Sequence, residues 1–291
     1  MGAELVVPST GFAGLQAVLG AAATGQGHDE ADLEATILRQ IEAFILELGL
    51  GFALVERQKR MVMALSRAPN PAAKTAHAWL HTAKFLTTAP TLDFLPPHDL
   101  PEIAFVGRSN AGKSTCINTL TQQNQLAFAS KKPGRTQHIN LFSLGKQNIH
   151  DAVLADLPGY GYAAVPKQDK IRWQRVMANY LMTRQNLIGI VLLCDPRHGL
   201  TELDEILLDI VRPRISEGLK LLVLLTKSDK LTRSAAAQAL QAAQAVLADS
   251  CPEHADVGVS LFSALKRVGV DEAAMLLHGW ARPGAVLQTT T

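Results

Sequence analysis

Residues 102–115 read E-I-A-F-V-G-R-S-N-A-G-K-S-T, and this stretch decides the fold. Glu102–Val106 is a short, mostly apolar run of strand length. Gly107–Ser114 then fits the pattern G-x-x-x-x-G-K-[ST], and Lys113–Leu120 has the composition of a helix. A strand, a glycine-rich loop and a helix in this order are the context that a phosphate-binding loop requires.

Each residue type in this loop has a chemical reason. Glycines let backbone N–H groups approach and surround phosphates, Lys113 reaches the β and γ oxygens, and the Ser114 hydroxyl binds magnesium. A glycine-rich turn that matches by chance is the alternative. We expect the whole loop to contact a nucleotide, through Gly107, Arg108, Ser109, Asn110, Ala111, Gly112, Lys113 and Ser114.

A second motif, Asp156-Leu157-Pro158-Gly159, ends the apolar run Val153–Ala155. An aspartate at the end of a strand can hold the water shell of a metal, and the amide of Gly159 can sense a γ-phosphate. Taken alone, a D-x-x-G sequence is explained equally well by a type I turn. Its place one strand–helix–strand unit after the phosphate loop favours the nucleotide site.

Two more motifs lie at the ends of later strand-like runs. In Thr226-Lys227-Ser228-Asp229 the carboxylate can accept N1–H and N2–H₂ of guanine, a donor pair that adenine lacks, while the lysine stem lies along the base. A polar loop that opens a helix is the alternative. In Phe262-Ser263-Ala264 we expect the amides of Ser263 and Ala264 to donate to guanine O6. Four elements in this order predict a GTPase.

The chain from Glu102 onward alternates strand-like and helix-like segments. The predicted strands are Glu102–Val106, His138–Leu144, Ile149–Ala155, Leu187–Cys194, Leu221–Leu225 and Val257–Phe262. The predicted helices are Lys113–Leu120, Lys167–Arg184, Glu202–Val211, Ser234–Ala248 and Asp271–Trp280. This alternation predicts an α/β fold, a P-loop GTPase domain whose mainly parallel, six-stranded sheet is flanked by helices.

The organisation before Pro101 is different. Asp32–Leu50 predicts an amphipathic helix, because apolar residues recur there at helical spacing. We expect four parts: a partly helical N-terminal extension over residues 1–62, a lead segment over 63–100, the GTPase domain over 101–282, and a loose tail over 283–291. The extension is expected to be an over-extended gene start or fused fragment, with a small helical module that binds a partner as the alternative.

Composition excludes several protein classes. With 47% hydrophobic and 19% charged residues and a net charge of +2, the 291-residue chain is not a disordered one. Its three cysteines are far apart and exclude a disulfide scaffold. Its apolar runs are shorter than the roughly 18 to 20 residues that span a bilayer. We expect a soluble, cytoplasmic, monomeric protein that does not engage membranes.

The near-neutral charge conceals one basic stretch. No acidic residue occurs from Ile103 to His150, a segment that contains Arg108, Lys113, Lys131, Lys132, Arg135 and Lys146. Basic residues without acidic neighbours are expected where a polyphosphate or an RNA backbone binds.

The motifs together resemble one GTPase family. G-R-S-N-A-G-K-S-T, K-P-G-R-T-Q at Lys132–Gln137, D-L-P-G-Y-G-Y-A at Asp156–Ala163, R-H at Arg197-His198, T-K-S-D-K at Thr226–Lys230 and F-S-A-L-K at Phe262–Lys266 are similar to the bacterial EngB (YihA/YsxC) type of ribosome-biogenesis GTPase, a TRAFAC-class protein. The resemblance runs from about Ala64 to Trp280. It implies that GTP or GDP is the ligand, and that the large ribosomal subunit or its assembly intermediates, with their rRNA, are the partner.

The resemblance also assigns roles to residues. Thr136 would be the switch I threonine that joins Ser114 on Mg²⁺. The nucleotide-sensing switches would be Asp156–Gly159 and the segment Gly134, Arg135, Thr136, Gln137 and His138. Thr226 stands where other GTPases have asparagine, which is expected to loosen the guanine pocket slightly. The resemblance leaves the roles of Arg197 and His198 open.

Hydrolysis is expected to proceed by in-line attack of water on the γ-phosphoryl, with Lys113, Thr136, Gly159 and Asn110 as the catalytic set. Tyr160 stands where many GTPases place a water-orienting glutamine, so the intrinsic rate is expected to be low. Asn110 is either a ligand for K⁺, as in related GTPases, or a cap of the loop. Two other functions remain open at this point: an ATP-using, kinase-like P-loop enzyme, and a nucleotide-gated RNA-binding module that does not hydrolyse.

The N-terminal extension has a resemblance of its own. Asp32–Arg60 is similar to part of the YhcG-type restriction-fold nuclease domain. The carboxylates and the lysine of such a nuclease lie further along that domain, and this segment does not supply them.

Overall fold

One mainly parallel sheet organises the part of the chain that the computed structural model describes, residues 70–127, 138–147, 149–161 and 167–282. The chain divides into two units, Met1–Ser66 and Arg67–Thr291, and every described residue belongs to the second. The predicted helix Asp32–Leu50, the extension over 1–62 and the tail over 283–291 lie outside the described residues. Within the described ranges, no helix has the length and apolarity to cross a membrane.

Strands and helices alternate as the sequence predicted from residue 102 onward. The strands are β1 Lys84–Ala89, β2 Glu102–Gly107, β3 Ile139–Lys146, β4 Ile149–Asp156, β5 Leu187–Cys194, β6 Lys220–Leu225 and β7 Val257–Leu261. The helices are α1 Pro71–Leu80, α2 Lys113–Thr121, α3 Lys167–Thr183, α4 Glu202–Ser216, α5 Arg233–Ser250 and α6 Val270–Ala281.

The sheet has seven strands among the described residues, in the order β1-β3-β4-β2-β5-β6-β7, and the predicted number of six is wrong. β2 pairs in parallel with β4 and β5, and β6 in parallel with β5 and β7, whereas β3 runs antiparallel to β1 and β4. The extra strand is β1. Three of its first four residues are exposed and its flanks contain prolines, so no apolar run indicates it.

Residues 70–100 of the lead segment are therefore part of the folded domain. β1 pairs with β3, and the side chains of Trp79 and Leu80 on α1 are buried, at 5% and 0% exposure. Trp79 Nε1 donates to Asp151 Oδ1 across 2.9 Å, which fixes α1 to the start of β4. Residues 70–100 thus share one core with the strands that follow, and position 100 is not a structural boundary.

Both faces of the sheet are covered by helices. Along β2, Ile103 and Phe105 belong to one buried cluster, and Ala104 and Val106 belong to the other, as the alternation of a strand requires. Because the five parallel strands point the same way, their carboxyl ends lie at one edge of the sheet. Ligands of open α/β sheets bind outside that edge, and all four nucleotide motifs follow these strand ends.

Candidate nucleotide-binding site

The loop after β2 is held in the shape that anion binding needs. Gly107 has φ +154°, and a Cβ there would lie 2.5 Å from the carbonyl oxygen of Leu193, so only glycine fits. Asn110 and Gly112 adopt left-handed backbone angles, with φ of 66° and 98°. Gly112 is the N-cap of α2, so the unpaired amides of the first helical turn adjoin the loop. Loop amides and a helix amino terminus together favour a bound phosphate.

Lys113 and Asp156 meet at the phosphate end of the site. Both are buried, at 8% and 1% exposure, and Lys113 Nζ lies 3.0 Å from Asp156 Oδ1. The two groups form an ion pair at hydrogen-bond distance, although the angles at the contact do not make Lys113 a hydrogen-bond donor to Oδ1. The ammonium thus compensates the buried charge, while the oxygen can still accept a hydrogen bond from a water or a ligand.

The D-x-x-G segment lies directly against the phosphate loop. A Cβ on Gly159 would lie 3.1 Å from the Cα of Ser109, and the Ser109 amide donates to the carbonyl of Tyr160 across 2.8 Å. Leu157 and Pro158 are buried, and the Leu157 amide donates to the carbonyl of Phe105. The two middle residues of the motif therefore pack in the core, while Gly159 is the one that faces the loop.

Tyr160 is bound to the interior. Its side chain is 7% exposed, and its hydroxyl donates to Asp204 on α4. The same carboxylate accepts from the backbone and the hydroxyl of Thr201, closing a capping box at the start of α4. Burial, followed by the charge of Asp204, raises the pKa of Tyr160 well above its ordinary value. The phenol stays protonated at neutral pH and cannot act as a base toward water.

At the opposite end of the site, the T-K-S-D motif is fastened to the phosphate loop. The Thr226 hydroxyl lies 2.7 Å from the carbonyl oxygen of Ala111 and 3.1 Å from that of Cys194. Lys227 Nζ donates to the carbonyl of Asn110 across 2.7 Å. Thr226 stands where other GTPases have asparagine, and its hydroxyl links the T-K-S-D motif to the phosphate loop.

Asp229 is oriented by the last motif. Ser263, which is fully buried, donates from its hydroxyl to Asp229 Oδ1 across 2.5 Å. Asp229 itself is exposed, so the carboxylate is held in one direction but open to a ligand. A fixed carboxylate that can accept two adjacent donors matches the N1–H and N2–H₂ edge of guanine.

Comparison with known proteins identifies the family. Residues 102–227 match the family model described as 50S ribosome-binding GTPase. The chain is 73% identical over 208 residues to a probable GTP-binding protein EngB from Albidiferax ferrireducens, covering 72% of this chain and 97% of that one. A probable GTP-binding protein EngB from Polaromonas is 66% identical over 224 residues (77% and 88% covered), and one from Burkholderia pseudomallei is 51% identical over 212 residues (71% and 94%).

The chain belongs to the EngB family. It is accordingly a P-loop GTPase, as its motifs predicted, and neither an ATP-using kinase nor a module without hydrolysis. The α/β fold with a mostly parallel sheet agrees with this membership.

The EngB-type site differs in detail from the prediction at its last motif. The Ser263 amide donates to the carbonyl of Val268 across 3.0 Å, so it is not available to guanine O6. The Ala264 amide donates to no other described residue, so of the two predicted amides it is the one that remains available to guanine O6. Phe262 and Ser228 are buried and join the two loops through a bond from the Ser228 amide to the Phe262 carbonyl, so they support the pocket from behind.

One residue that supports the candidate site, Asp195, was not predicted from the sequence. Asp195, the residue directly after β5, accepts from Lys227 Nζ at 3.1 Å and from Arg197 Nε and Nη2 at 2.9 and 2.6 Å. Arg197, followed by Lys227, holds the pKa of Asp195 well below its ordinary value. The carboxylate therefore stays ionised and anchors Lys227. Its signal was positional, since it follows a strand that lies between two motif-bearing strands. His198 is exposed.

Part of the predicted set lies outside the described residues. Gly134, Arg135, Thr136 and Gln137 of switch I fall there, and His138, the first residue described after them, is exposed and precedes β3. The assignment of Thr136 to the metal and of Gly134–His138 to nucleotide sensing remains a prediction.

Proposed function

We propose that this GTPase is a molecular switch that binds GTP with Mg²⁺, hydrolyses it slowly, and acts in assembly of the large ribosomal subunit. The observation that supports it best is the carboxylate of Asp229, which a hydrogen bond from Ser263 holds in one direction. Thr226 and Lys227 of the same motif are hydrogen-bonded to the phosphate loop. The family description, 50S ribosome-binding GTPase, supports the partner. In the proposal the chain works as a cytoplasmic monomer.

The oxygen donors at the phosphate end fit a magnesium ion. Ser114 lies in the first turn of α2. Asp156 Oδ1 pairs with Lys113 but accepts no hydrogen bond from a described residue, so it suits a metal-bound water, since Mg²⁺ prefers oxygen ligands and keeps part of its hydration shell. Ser114 and Thr136 are proposed as direct ligands. The ion supplies neutralisation of charge on the β- and γ-phosphate oxygens when it is bound.

Lys113 and the loop amides are proposed to stabilise the charge that develops on the γ-phosphoryl group. In the described conformation Lys113 is paired with Asp156, so nucleotide binding redirects its ammonium toward phosphate oxygens. Gly159 packs against Ser109. We expect its amide to sense the γ-phosphate when GTP is bound. Because Tyr160 is engaged by Asp204, no side chain at that position orients the attacking water, and the intrinsic rate is expected to be low.

Potassium is proposed to supply part of the missing catalysis. The Asn110 side chain is exposed and has no hydrogen-bonding partner within the described ranges, while its carbonyl is held by Lys227. An amide oxygen in this place can bind a monovalent cation beside the phosphates. We expect GTP hydrolysis to be faster in KCl than in NaCl at equal ionic strength, and Asn110→Ala to remove the difference. Equal rates of the wild type in the two salts would exclude this role.

The ribosomal partner is tested by co-sedimentation with purified large subunits. We expect binding with a non-hydrolysable GTP analogue to exceed binding with GDP. Lys131 and Lys132 precede switch I and Arg135 lies in it, and in the proposal all three meet RNA phosphates when GTP orders that segment. Binding should weaken steeply with salt. Lys113→Ala should abolish the difference between the two nucleotides. If large subunits do not bind the protein in any nucleotide state at low salt, the proposed function is wrong.

A further inference from the structure

An exposed loop adjoins the guanine end of the site. In the β7–α6 loop, Leu265 and Val268 are 77% and 44% exposed, and Lys266 and Arg267 between them are exposed as well. The loop is closed by the backbone pairing of Ser263 with Val268 and by left-handed angles at Arg267 and Gly269, where φ is 55° and 70°. A Cβ on Gly269 would lie 2.0 Å from the carbonyl oxygen of Leu261, which fixes the exit of the loop.

A second segment with exposed basic residues, the one that follows β6, lies beside the β7–α6 loop. Ser228–Lys230 contacts the loop through the Ser228 amide and the Asp229 carboxylate. Lys230 at the end of this segment and Arg233 at the start of α5 are exposed. Together, Lys230, Arg233, Lys266 and Arg267 form what we term the guanine-side basic surface. Within the described part of the chain, no ion pair engages any of its four cations. The β7–α6 connection also contains no acidic residue from Val257 to Val270.

We propose that the guanine-side basic surface binds the phosphate backbone of RNA, and that this binding is coupled to occupancy of the guanine pocket. The inference rests on the proposed ribosomal function and assigns to it a contact separate from switch I. These four cations, which pair with no acidic group among the described residues, lie on the β7–α6 loop, on the segment after β6 and at the start of α5. They suit a chain of phosphates, to which they contribute affinity without sequence selectivity.

The coupling runs through two hydrogen bonds. The Lys266 amide donates to Ser263 Oγ across 3.1 Å, and the same hydroxyl donates to Asp229 Oδ1 across 2.5 Å. Guanine bound to Asp229 therefore stabilises the backbone on which Lys266 and Arg267 are mounted. RNA on those cations holds the same backbone in the same position. By thermodynamic linkage, each ligand then tightens the binding of the other by the same factor.

In the proposal this surface responds to occupancy of the guanine pocket, whereas the switches respond to the γ-phosphate. GDP and GTP carry the same base, so both fill the guanine pocket, whereas only GTP offers a γ-phosphate to switch I and Gly159. The guanine-side basic surface should accordingly distinguish nucleotide-bound from nucleotide-free protein and treat GDP and GTP alike. After hydrolysis it would keep the protein on RNA until GDP leaves.

The test measures binding of naked large-subunit rRNA to the full chain by filter retention. For the wild type we expect GDP to raise RNA affinity at least about fivefold over the nucleotide-free state, the lower end of typical coupling. Lys266→Gln with Arg267→Gln should lose this gain, and the slope of log affinity against log salt should fall by about two, one for each lost phosphate contact. The control, Lys74→Gln with Lys84→Gln, removes two exposed charges on α1 and β1, and should behave as wild type.

The reciprocal effect is measured on the nucleotide. Release of a fluorescent GDP analogue should slow at least about fivefold when rRNA is added to the wild type or to the control variant. Lys266→Gln with Arg267→Gln should bind GDP normally without RNA, since both side chains point to solvent, and should show no slowing. Ser263→Ala should still bind rRNA but with an affinity that GDP no longer changes.

Several results would overturn the proposal. One is an unchanged gain from GDP in the Lys266→Gln, Arg267→Gln variant; another is an equal loss of RNA affinity in the nucleotide-free and GDP states. Slowing of GDP release by intact large subunits but not by naked rRNA would assign the surface to a ribosomal protein instead. In each case binding to large subunits persists, so the proposed function survives. Its own failure is recognised by the absence of any binding to large subunits.

Discussion

At the scale of single residues, the proposed function makes base selectivity depend on the Asp229 carboxylate. Its two oxygens would accept donors from guanine, and Ser263 fixes the direction of the carboxylate. Changing Asp229→Asn replaces one acceptor oxygen by a donor NH₂ group, which repels N2–H₂ but matches the O2 carbonyl of xanthine. We expect the variant to bind xanthosine diphosphate more tightly than guanosine diphosphate, the reverse of the wild type. The ratio of the two affinities should change at least about tenfold, or 1.4 kcal/mol.

The measurement is a competition titration of each diphosphate against a fluorescent nucleotide. Asp249→Asn, on the far part of α5, is the matched control and should keep the wild-type preference. An Asp229→Asn protein that folds and still prefers guanosine would show that another group reads the base.

At the scale of elements, the contact between α1 and α6 is expected to depend on pH. His278 of α6 lies edge-on against Trp79 of α1, with ring centroids 5.2 Å apart, and burial lowers the pKa of His278 below its ordinary value of 6.5. The unfolded chain therefore takes up this proton at a higher pH than the folded one. The stability that neutral His278 contributes is present above about pH 6.5 and is lost as pH falls through the folded pKa.

We expect the free energy of unfolding by urea to fall between pH 7.5 and pH 5.5, and to fall less in His278→Phe, which keeps an aromatic ring beside Trp79. His254→Gln, at an exposed position, should follow the wild-type curve. Identical pH dependence in all three proteins would mean that other groups account for the loss.

Elements differ in how far sequence predicts them. β2, β5 and β6 lie in the middle of the sheet, so their continuous apolar runs indicate strands from the sequence alone. β1 lies at the edge with several side chains in solvent, and such a strand is defined by its pairing with β3 rather than by its own composition. Local pattern cannot reveal a partner that is supplied from more than fifty residues away.

The same reasoning separates the parts of the site. The motifs predicted that Lys113, Asp156 and Asp229 would lie at one edge of the sheet, because each motif follows a parallel strand. Their roles toward the nucleotide stay predictions. The engagement of the Ser263 amide by Val268 was not predictable, since it depends on how the β7–α6 loop closes in three dimensions. Asp195 belongs to no predicted motif, and only the juxtaposition of β5 with β6 brings it to Lys227.

At the scale of the whole molecule, the lead segment decides where a foldable chain can begin. Trp79 and Leu80 are buried and β1 covers the open side of β3. Removing them forfeits about 3 to 6 kcal/mol of apolar burial, a large share of the 5 to 15 kcal/mol that stabilises a typical domain. A chain that starts at Met63 should melt as the full chain does and bind GDP equally well.

A chain that starts at Leu92 should melt at a much lower temperature or fail to fold, as followed by circular dichroism and GDP binding. If it keeps the melting temperature of the full chain, α1 and β1 are dispensable additions to the domain. A loss of stability on starting at Met63 would instead assign a stabilising role to residues 1–62.

The hydrogen bonds from Thr226 and Lys227 to the phosphate loop have a consequence for the binding free energies of partial ligands. They connect the loop proposed to bind the base to the loop proposed to bind the phosphates. A ligand that binds only one loop bears the full entropic cost of immobilising itself and ordering both loops. The complete nucleotide bears this cost once. Guanosine and inorganic pyrophosphate, measured separately, should therefore have binding free energies whose sum falls short of that of GDP. The intact ligand gains from the same chelate advantage that favours a bidentate ligand over two single donors.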